Sequence, residues 1–389
     1  MSVSGRDAVI VGALRTPVGV GKPGKGVLDH WHPVDLSGEL LAALVARAAI
    51  DPALIDDVIW GCVTQVGEQS SNVGRLAALA AGFPESVVGT TIDRQCGSSQ
   101  QAVHFAAAGV VAGHYDLVVA GGVESMSRAP MFSNVHGGDG PVGPRVNQRF
   151  DLVGQGTSAE LIASSWGISR GGADELAVRS HERAAAATAD GLFEAELVPV
   201  PGKDGQQVQA DQGIRPSTSL ETLAALRPAF RSDGVVTAGN SSQISDGAAA
   251  LLITTSDIAA ELGLTPLARI HTVAMAGVDP VMMLTGPIPA TARVLSRSGL
   301  TIDDIAAFEV SEAFAPVVGA WLHETGADPR LTNPMGGAMA IGHPLGASGA
   351  RLMTTLVHHL ARTGGRYGLQ TMCEGGGMAN ATIIENLQL

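Results

Sequence analysis

The sequence predicts an α/β fold made of two related halves. Three observations carry the prediction: short β-type runs alternate with Ala- and Leu-rich helical stretches, a tetrapeptide pattern recurs at a fixed offset, and one glycine-rich stretch interrupts the alternation. The 389 residues leave room for two or three domains at roughly 100–200 residues each. In chain order, Ala8–Val11 reads as a strand, Leu36–Ala49 as a helix, Val58–Val63 as a strand, Ser98–Ala112 as a helix, and Leu117–Ala120 as a strand ending at Gly121-Gly122. These strands are continuous apolar runs, the mark of strands buried on both faces. From Ser125 to Gln155 the pattern breaks at Gly137-Gly138, Gly140-Pro141 and Gly143-Pro144, which reads as an excursion from the fold. Regular structure resumes near Gly247 with the strand Ala248–Ile253, and a late helix covers Ala350–Ala361.

The repeat pairs Ile55-Asp56-Asp57-Val58 with Ile302-Asp303-Asp304-Ile305 at an offset of 247, each time after a helical segment and before an apolar strand. The same offset carries Cys96 onto His343. Duplicated halves packed about a pseudo-twofold axis would therefore set these two side chains in equivalent places near helix N-termini.

Composition narrows the function classes. Hydrophobic residues make up 45% and charged ones 16%, the reverse of the balance that keeps chains disordered. With 4% aromatics and 50 glycines, roughly twice the usual share of glycine, the core must be Ala, Val, Leu and Ile packed closely. Lys and Arg number 24 against 37 Asp and Glu, for a formal charge of −13. That removes the basic footprint of a nucleic-acid binder and repels anionic lipid, so neither is an expected partner. No apolar run reaches the roughly 18 residues of a membrane span, and Met1–Asp7 lacks the basic-then-apolar order of a signal peptide. A cytoplasmic location is expected. Cys62, Cys96 and Cys373 are too few, and odd in number, for a disulfide framework.

Each thiol has its own setting. Cys96 stands between a strand-like run and a helix, where free backbone N–H groups and the helix dipole favour a thiolate. Such placement can lower a thiol from about 8.5 to roughly 3.5–7.5. An isolated cysteine is more often a small core residue, but Gly97, Ser98 and Ser99 favour an accessible nucleophile. Cys373 ends a strand and is followed, after Glu374, by Gly375-Gly376-Gly377, which admits a substrate to the backbone and leaves N–H groups for an oxyanion. The plain alternative is a glycine turn with an incidental cysteine. Cys62, inside Val58–Val63, reads as core. His343 precedes a proline, which holds it outside the helix that follows. Cys96, His343 and Cys373 could together bind zinc, yet zinc ligands usually come in close pairs, and no metal is expected. Gly19–Gly26 fits G-x-x-x-x-G-K but lacks the following Ser/Thr, contains Pro23 and has no helix signal after it; it reads as a surface loop.

Together these residues resemble the thiolase family, the acetyl-CoA acyltransferases, over nearly the whole chain. The carriers are Asp93–Ser98, Ala120–Ser127, Ala238–Ser242, Asp246-Gly247-Ala248, Ser311-Glu312-Ala313-Phe314, Asn333–Gly337, Gly342-His343-Pro344 and Cys373-Glu374-Gly375. The resemblance implies a five-layered α-β-α-β-α fold of two duplicated halves. The amino-terminal half would span 1–119, completed by 245–266, with a CoA-binding loop domain over 120–244 and the second half over 267–389. It implies Cys96 as the acylated nucleophile, His343 as its activating partner and an oxyanion donor, Cys373 as the acid/base, and the N–H groups of Cys96 and Gly375 as a second oxyanion hole. Ser311 departs from the family's usual Asn, which helps hold a water in the first oxyanion hole; losing such a donor costs roughly 10²–10³ in rate.

The implied reaction is thiolytic cleavage of a 3-oxoacyl-CoA, or its reversal, with CoA as co-substrate and no permanently bound cofactor. CoA contacts would fall on Arg215, Thr222 and Ser242, in a stretch whose basic residues are balanced by acidic ones. Gly154-Gln155 stands where many thiolases have His-Met, and with Ser311 it suggests an acyl group larger than acetoacetyl. Met275, Met282 and Met283 are candidates for the acyl wall or for core filling. A homodimer or homotetramer is expected. Two rivals remain at this point. A ketoacyl-synthase-type condensing enzyme would carry His in place of Cys373. An acyl-CoA or lipid-binding relative with weak or no turnover finds support only in Ser311.

Overall fold

The computed structural model describes residues 6–138 and 140–389; the extreme amino terminus read above for a leader pattern lies outside them. The first half runs β1 (Val9–Arg15), β2 (Gly19–Val20), α1 (Pro33–Ala48), β3 (Asp57–Gly61), α2 (Val73–Ala80), β4 (Val88–Ile92), α3 (Ser98–Ala112) and β5 (Leu117–Ser125). A long insertion follows, with α4 (Pro144–Asn147), α5 (Gln155–Ser165), α6 (Arg170–Ala189), the small hairpin β6 (Val200–Pro201) and β7 (Gln207–Val208), and α7 (Leu220–Ala224). The chain rejoins the first sheet as β8 (Ser245–Thr254) and continues through α8 (Ser256–Glu261). The second half is β9 (Ala268–Gly277), α9 (Pro287–Ser298), β10 (Ile305–Val310), α10 (Ala315–Thr325), α11 (Ser348–Thr363), β11 (Tyr367–Glu374) and β12 (Met378–Asn386).

Strand pairing shows the duplication directly. The first half has the order β4-β3-β5-β8-β1, parallel through β5 and antiparallel beyond it. The second half has β10-β11-β12-β9 with the same change of sense after β11. A single parallel bridge from Phe308 to Thr332 stands where β4 stands in the first half. Short antiparallel pairing of Val9 with Arg269 and Ile10 with Ala268 joins the two sheets. Ile55-Asp56-Asp57 leads into β3 and Ile302-Asp303-Asp304 into β10, so the repeated tetrapeptide marks equivalent strand starts.

Alternation along the strands builds the layers. In β8, Ala248, Ala250 and Leu252 face a core shared with α1 and α2, while Ala249, Leu251 and Ile253 face a second core shared with α3 and α11. That second core also takes Ala307 of β10 and Ile384 of β12 from the other sheet. A third core covers the far face of the second sheet with Val294 of α9 and Val318 and Trp321 of α10. The sequence from one side to the other is therefore helix, sheet, helix, sheet, helix.

One expectation needs correction. The strand at Leu117 does not stop at Gly121-Gly122 but runs to Ser125, the residue from which the excursion is expected. Both glycines are strand residues placed for close approach: a Cβ on Gly122 would overlap the Gly346 carbonyl, and one on Gly121 the Ala249 carbonyl. The Gly19–Gly26 stretch pairs with β8 through β2 and then turns, with no helix before Pro33.

Candidate active site

The candidate residues gather at the carboxyl ends of the parallel strands, where open α/β sheets place their sites. Cys96 sits in the turn from β4 to α3. Gln95 adopts φ +51 there, held by Asp93, whose Oδ1 accepts from the Gln95 N–H at 2.6 Å. The Ser98 hydroxyl donates to the Gln95 carbonyl at 2.6 Å and accepts from the Arg94 N–H at 2.9 Å. The result is a tight reversal that presents Cys96 just ahead of the helix. Its side chain is buried among Val63, Met126, Leu345 and Met372. The backbone N–H groups of Cys96 and Gly375 lie against its sulfur, yet burial and the nearby Glu374 push the thiol up to about 12. The lowered pKa expected from the helix terminus is thus overridden, because desolvation outweighs the donors.

Cys373 is the penultimate residue of β11, fully buried, with Ala159, Ile162, Met283 and Phe314 around it. Burial raises its thiol well above the ordinary value, and the charge of Cys96 raises it further, so the two sulfurs are near neighbours. The chain then turns through Gly376 and Gly377 at φ +81 and +80. Gly97 meets this strand end so closely that a Cβ on it would overlap the Glu374 carboxyl. The Asn380 side chain donates to the Gly97 carbonyl at 3.3 Å. Strand β11 and the start of α3 therefore form one wall.

His343 is buried in the loop before α11. Its N–H donates to Ser245 Oγ at 3.0 Å and lies 3.2 Å from the Gln243 carbonyl. Its Nδ1 lies 2.6 Å from Ser348 Oγ, and that hydroxyl donates to the Pro344 carbonyl at 2.8 Å. With the Ser348 proton committed to Pro344, the imidazole donates from Nδ1, which leaves a lone pair on Nε2. Nε2 has no hydrogen-bond partner among the described residues. Burial, then Arg351, lower the imidazole to about 4, so it is neutral at physiological pH. Leu345 of the same loop packs against Cys96.

Ser311 follows β10, and its N–H donates to the Thr371 carbonyl at 3.0 Å, beside the strand end that carries Cys373. Its hydroxyl is buried and likewise unpartnered among the described residues. The structure thus brings the Gly375 N–H onto the Cys96 sulfur and Cys373 near enough to feel its charge, ties Ser311 to β11 through Thr371, and holds the His343 loop on Ser245 and Glu124 with Leu345 against Cys96. Ser242 joins them from the insertion, its N–H donating to the Ala313 carbonyl at 2.9 Å. Arg215 and Thr222 are exposed on the insertion. The Thr222 hydroxyl closes a capping box with Ser219 at the start of α7, and the Arg215 N–H donates to His181 at 3.1 Å. Met282 and Met283 pack in the group around Cys373, whereas Met275 is 37% exposed on β9. Cys62 is fully buried in the first core.

Several positioning residues escaped the sequence reading. The Glu124 carboxylate accepts from the N–H groups of Val63, Thr64 and Gly346 and from Gln69, at 2.8 to 3.0 Å, and so pins the His343 loop to the end of β3. Glu312 accepts from Ser180, Asn333 and the Met339 N–H. Gln243 donates to the Gly213, Met339 and Ala340 carbonyls. Glu124 and Glu312 stand inside the quoted motifs, but nothing in a sequence says which donors a carboxylate collects. Among the described residues, no group of three or more His, Cys, Asp or Glu could hold a metal ion, and no helix is long and apolar enough to cross a membrane.

Two family models match the chain, the thiolase N-terminal domain over residues 8–257 and the thiolase C-terminal domain over 264–386. The chain belongs to the thiolase family. It is 50% identical to the steroid 3-ketoacyl-CoA thiolase FadA6 of Mycobacterium tuberculosis, over 98% of this chain and 94% of that protein. It is 46% identical to a 3-ketoacyl-CoA thiolase of Erwinia tasmaniensis, over 97% and 99%. It is also 45% identical to the 3-oxoadipyl-CoA/3-oxo-5,6-dehydrosuberyl-CoA thiolase of Escherichia coli, over 98% and 100%. The thiolase is accordingly an acetyl-CoA C-acyltransferase, with acyl-CoA and CoA as substrates.

Proposed function

We propose that this thiolase cleaves 3-oxoacyl-CoA through an acyl-enzyme on Cys96, with His343 as the base and Cys373 as the second acid/base. The observation that carries this is the pairing of two buried sulfurs beside the Gly375 N–H. At rest the pair is thiol and neutral imidazole, not thiolate and imidazolium, since the thiol stands near 12 and the imidazole near 4. Charge separation is then deferred until substrate supplies an acceptor for it. As the Cys96 proton moves to His343 Nε2, the sulfur attacks the 3-keto carbon, and the oxyanion forms near the unpartnered Ser311 hydroxyl and His343. The Cα–Cβ bond breaks, leaving the acyl group on Cys96 and the acetyl-CoA enolate, which takes the Cys373 proton. The Cys373 thiolate next deprotonates CoA, whose sulfur attacks the thioester under the N–H groups of Cys96 and Gly375. Shortened acyl-CoA leaves, and the proton on His343 returns to Cys96.

The acyl group is larger than acetoacetyl. The support is the adaptable apolar wall beside Cys373, where Met282 and Met283 pack with Phe314, and Phe230, 47% exposed, meets Phe314 edge-on at 5.9 Å. The relatives named for steroid and 3-oxoadipyl substrates fit acyl groups of that size. CoA is held near Ser242, with Arg215 reaching its phosphates. Self-association uses the edge strand β4 and the helices on it, where Val88, Leu76, Leu79 and Phe105 are exposed.

The test is to incubate the protein with acyl-CoA, digest it, and look by mass spectrometry for the acyl group on the Cys96 peptide. CoA should then discharge it. An adduct on another residue, or none, overturns the assignment.

A further inference from the structure

The mechanism above leaves one buried acid beside the nucleophile without a task. Glu374 is fully buried, and neither carboxyl oxygen has a hydrogen-bond partner among the described residues. It lies between Cys373 and Gly375 in the chain, and its carboxyl fills the space a Cβ on Gly97 would need. Gly97 is the residue that caps α3 and directly follows Cys96. An unpaired buried carboxylate is costly; the positive end of α3, which the Cys96 sulfur also uses, is a favourable field at this place.

Resting on the reading of Cys96 as the nucleophile, we propose that Glu374 is a positioning residue that shares a single negative charge with Cys96 at the start of α3. Protonated, Glu374 is a neutral neighbour and the helix terminus serves the thiolate. Ionised, it occupies that field and holds Cys96 as the thiol. Burial raises its carboxyl to about 8, and Glu374 in turn raises Cys96. The other charged groups that face it are Arg94, which favours its ionised form, and Asp93, which opposes it, both on the turn before α3. From its own strand Cys373 feels the charge of Glu374, while Asn380 of β12 is uncharged. Glu124 bears on Cys96 from the other side.

A shared charge has a signature that a merely structural acid lacks. The rate of iodoacetamide alkylation at Cys96, read on its own peptide by mass spectrometry, should rise about tenfold per pH unit up to about pH 8 in the unaltered enzyme. It should then flatten, because the site already carries its one negative charge, divided in a fixed ratio between the two partners, and climb again only when the second charge forms. In Glu374→Gln the plateau should vanish, and the rate at pH 8 to 9 should increase about tenfold or more, the effect of removing a like charge at close range. A single uninterrupted rise through this range in the unaltered enzyme overturns the proposal, and so does a Glu374→Gln profile that keeps the plateau. The first measurement needs no variant, so a variant that fails to fold leaves the proposal decided. Acyl labelling of Cys96 in the same preparation separates the two claims: absence of the adduct defeats the nucleophile assignment, and an adduct with a featureless alkylation profile defeats Glu374 alone.

Discussion

In the proposed mechanism, Cys373 and Ser311 are where single side chains decide the chemistry. Cys373 has an apolar surrounding that keeps it protonated at rest, which is what an acid for an enolate requires. Acylation of Cys96 from a simple acyl-CoA breaks no carbon–carbon bond and needs no such acid. Cys373→Ala should therefore still give the Cys96 adduct while cleavage of 3-oxoacyl-CoA falls by about 10²–10⁴; cleavage at the normal rate in that variant would remove Cys373 from the mechanism. Ser311 offers one hydroxyl donor, with no protein partner among the described residues competing for it. Ser311→Asn lengthens the side chain and supplies an amide, so it should change kcat or the preference among acyl-chain lengths, measured as kcat/KM across a series from acetoacetyl-CoA upward. An unchanged series would show that the hydroxyl takes no part.

At the level of elements, the site depends on how helices begin. The first residue of α11, Ser348, carries the hydrogen bond that sets the His343 tautomer, just as the turn before α3 aims Cys96. Ser348→Ala removes that orientation without touching substrate. It should lower kcat by about 10–100-fold with little change in KM, the usual cost of losing a group that orients a functional histidine; equal loss in KM would point to a binding defect instead. The same elements show what the sequence could reveal. Helix Ser98–Ala112 and the buried runs within β8 and β3 were legible because small apolar residues crowd there, and Cys96, His343 and Cys373 stood out as candidates because glycine adjoins the first two and follows the third one residue later. Strand β5 was cut short because glycine reads locally as a turn, whereas Gly122 exists to admit a carbonyl from the other half of the chain. The Cys96 thiol was misjudged for the same reason. A helix terminus is visible in sequence, but the burial and the Glu374 carboxyl that oppose it arrive from a strand nearly three hundred residues away, as far apart as positions 96 and 374.

For the whole molecule, the layer between the two sheets is the part that both halves must share, and the proposed catalytic centre, split between α3 and β11, would exist only while that layer is intact. His104 of α3 is one pH-sensitive member of it. It is buried, its Nε2 lies 2.7 Å from Thr382 Oγ1 of β12, and Gln100 donates to the same hydroxyl at 2.8 Å. Burial, then Arg94, depress the imidazole to about 3, against about 6.5 in an unfolded chain. Between those values the unfolded chain binds the proton and the folded one does not. The contribution is therefore complete above about pH 6.5 and is lost as pH falls toward 3, amounting to about 2 kcal/mol by pH 5. Other buried groups titrate across the same range with both signs, so the difference between proteins is the informative quantity. His104→Gln should be less stable than the parent at pH 7, since it disturbs the contact with Thr382, and denaturant midpoints should bring the two about 2 kcal/mol closer at pH 5. A gap that stays constant from pH 7 to pH 5 would mean that His104 can take up its proton without separating α3 from β12, and that the layer joining the halves tolerates a charge.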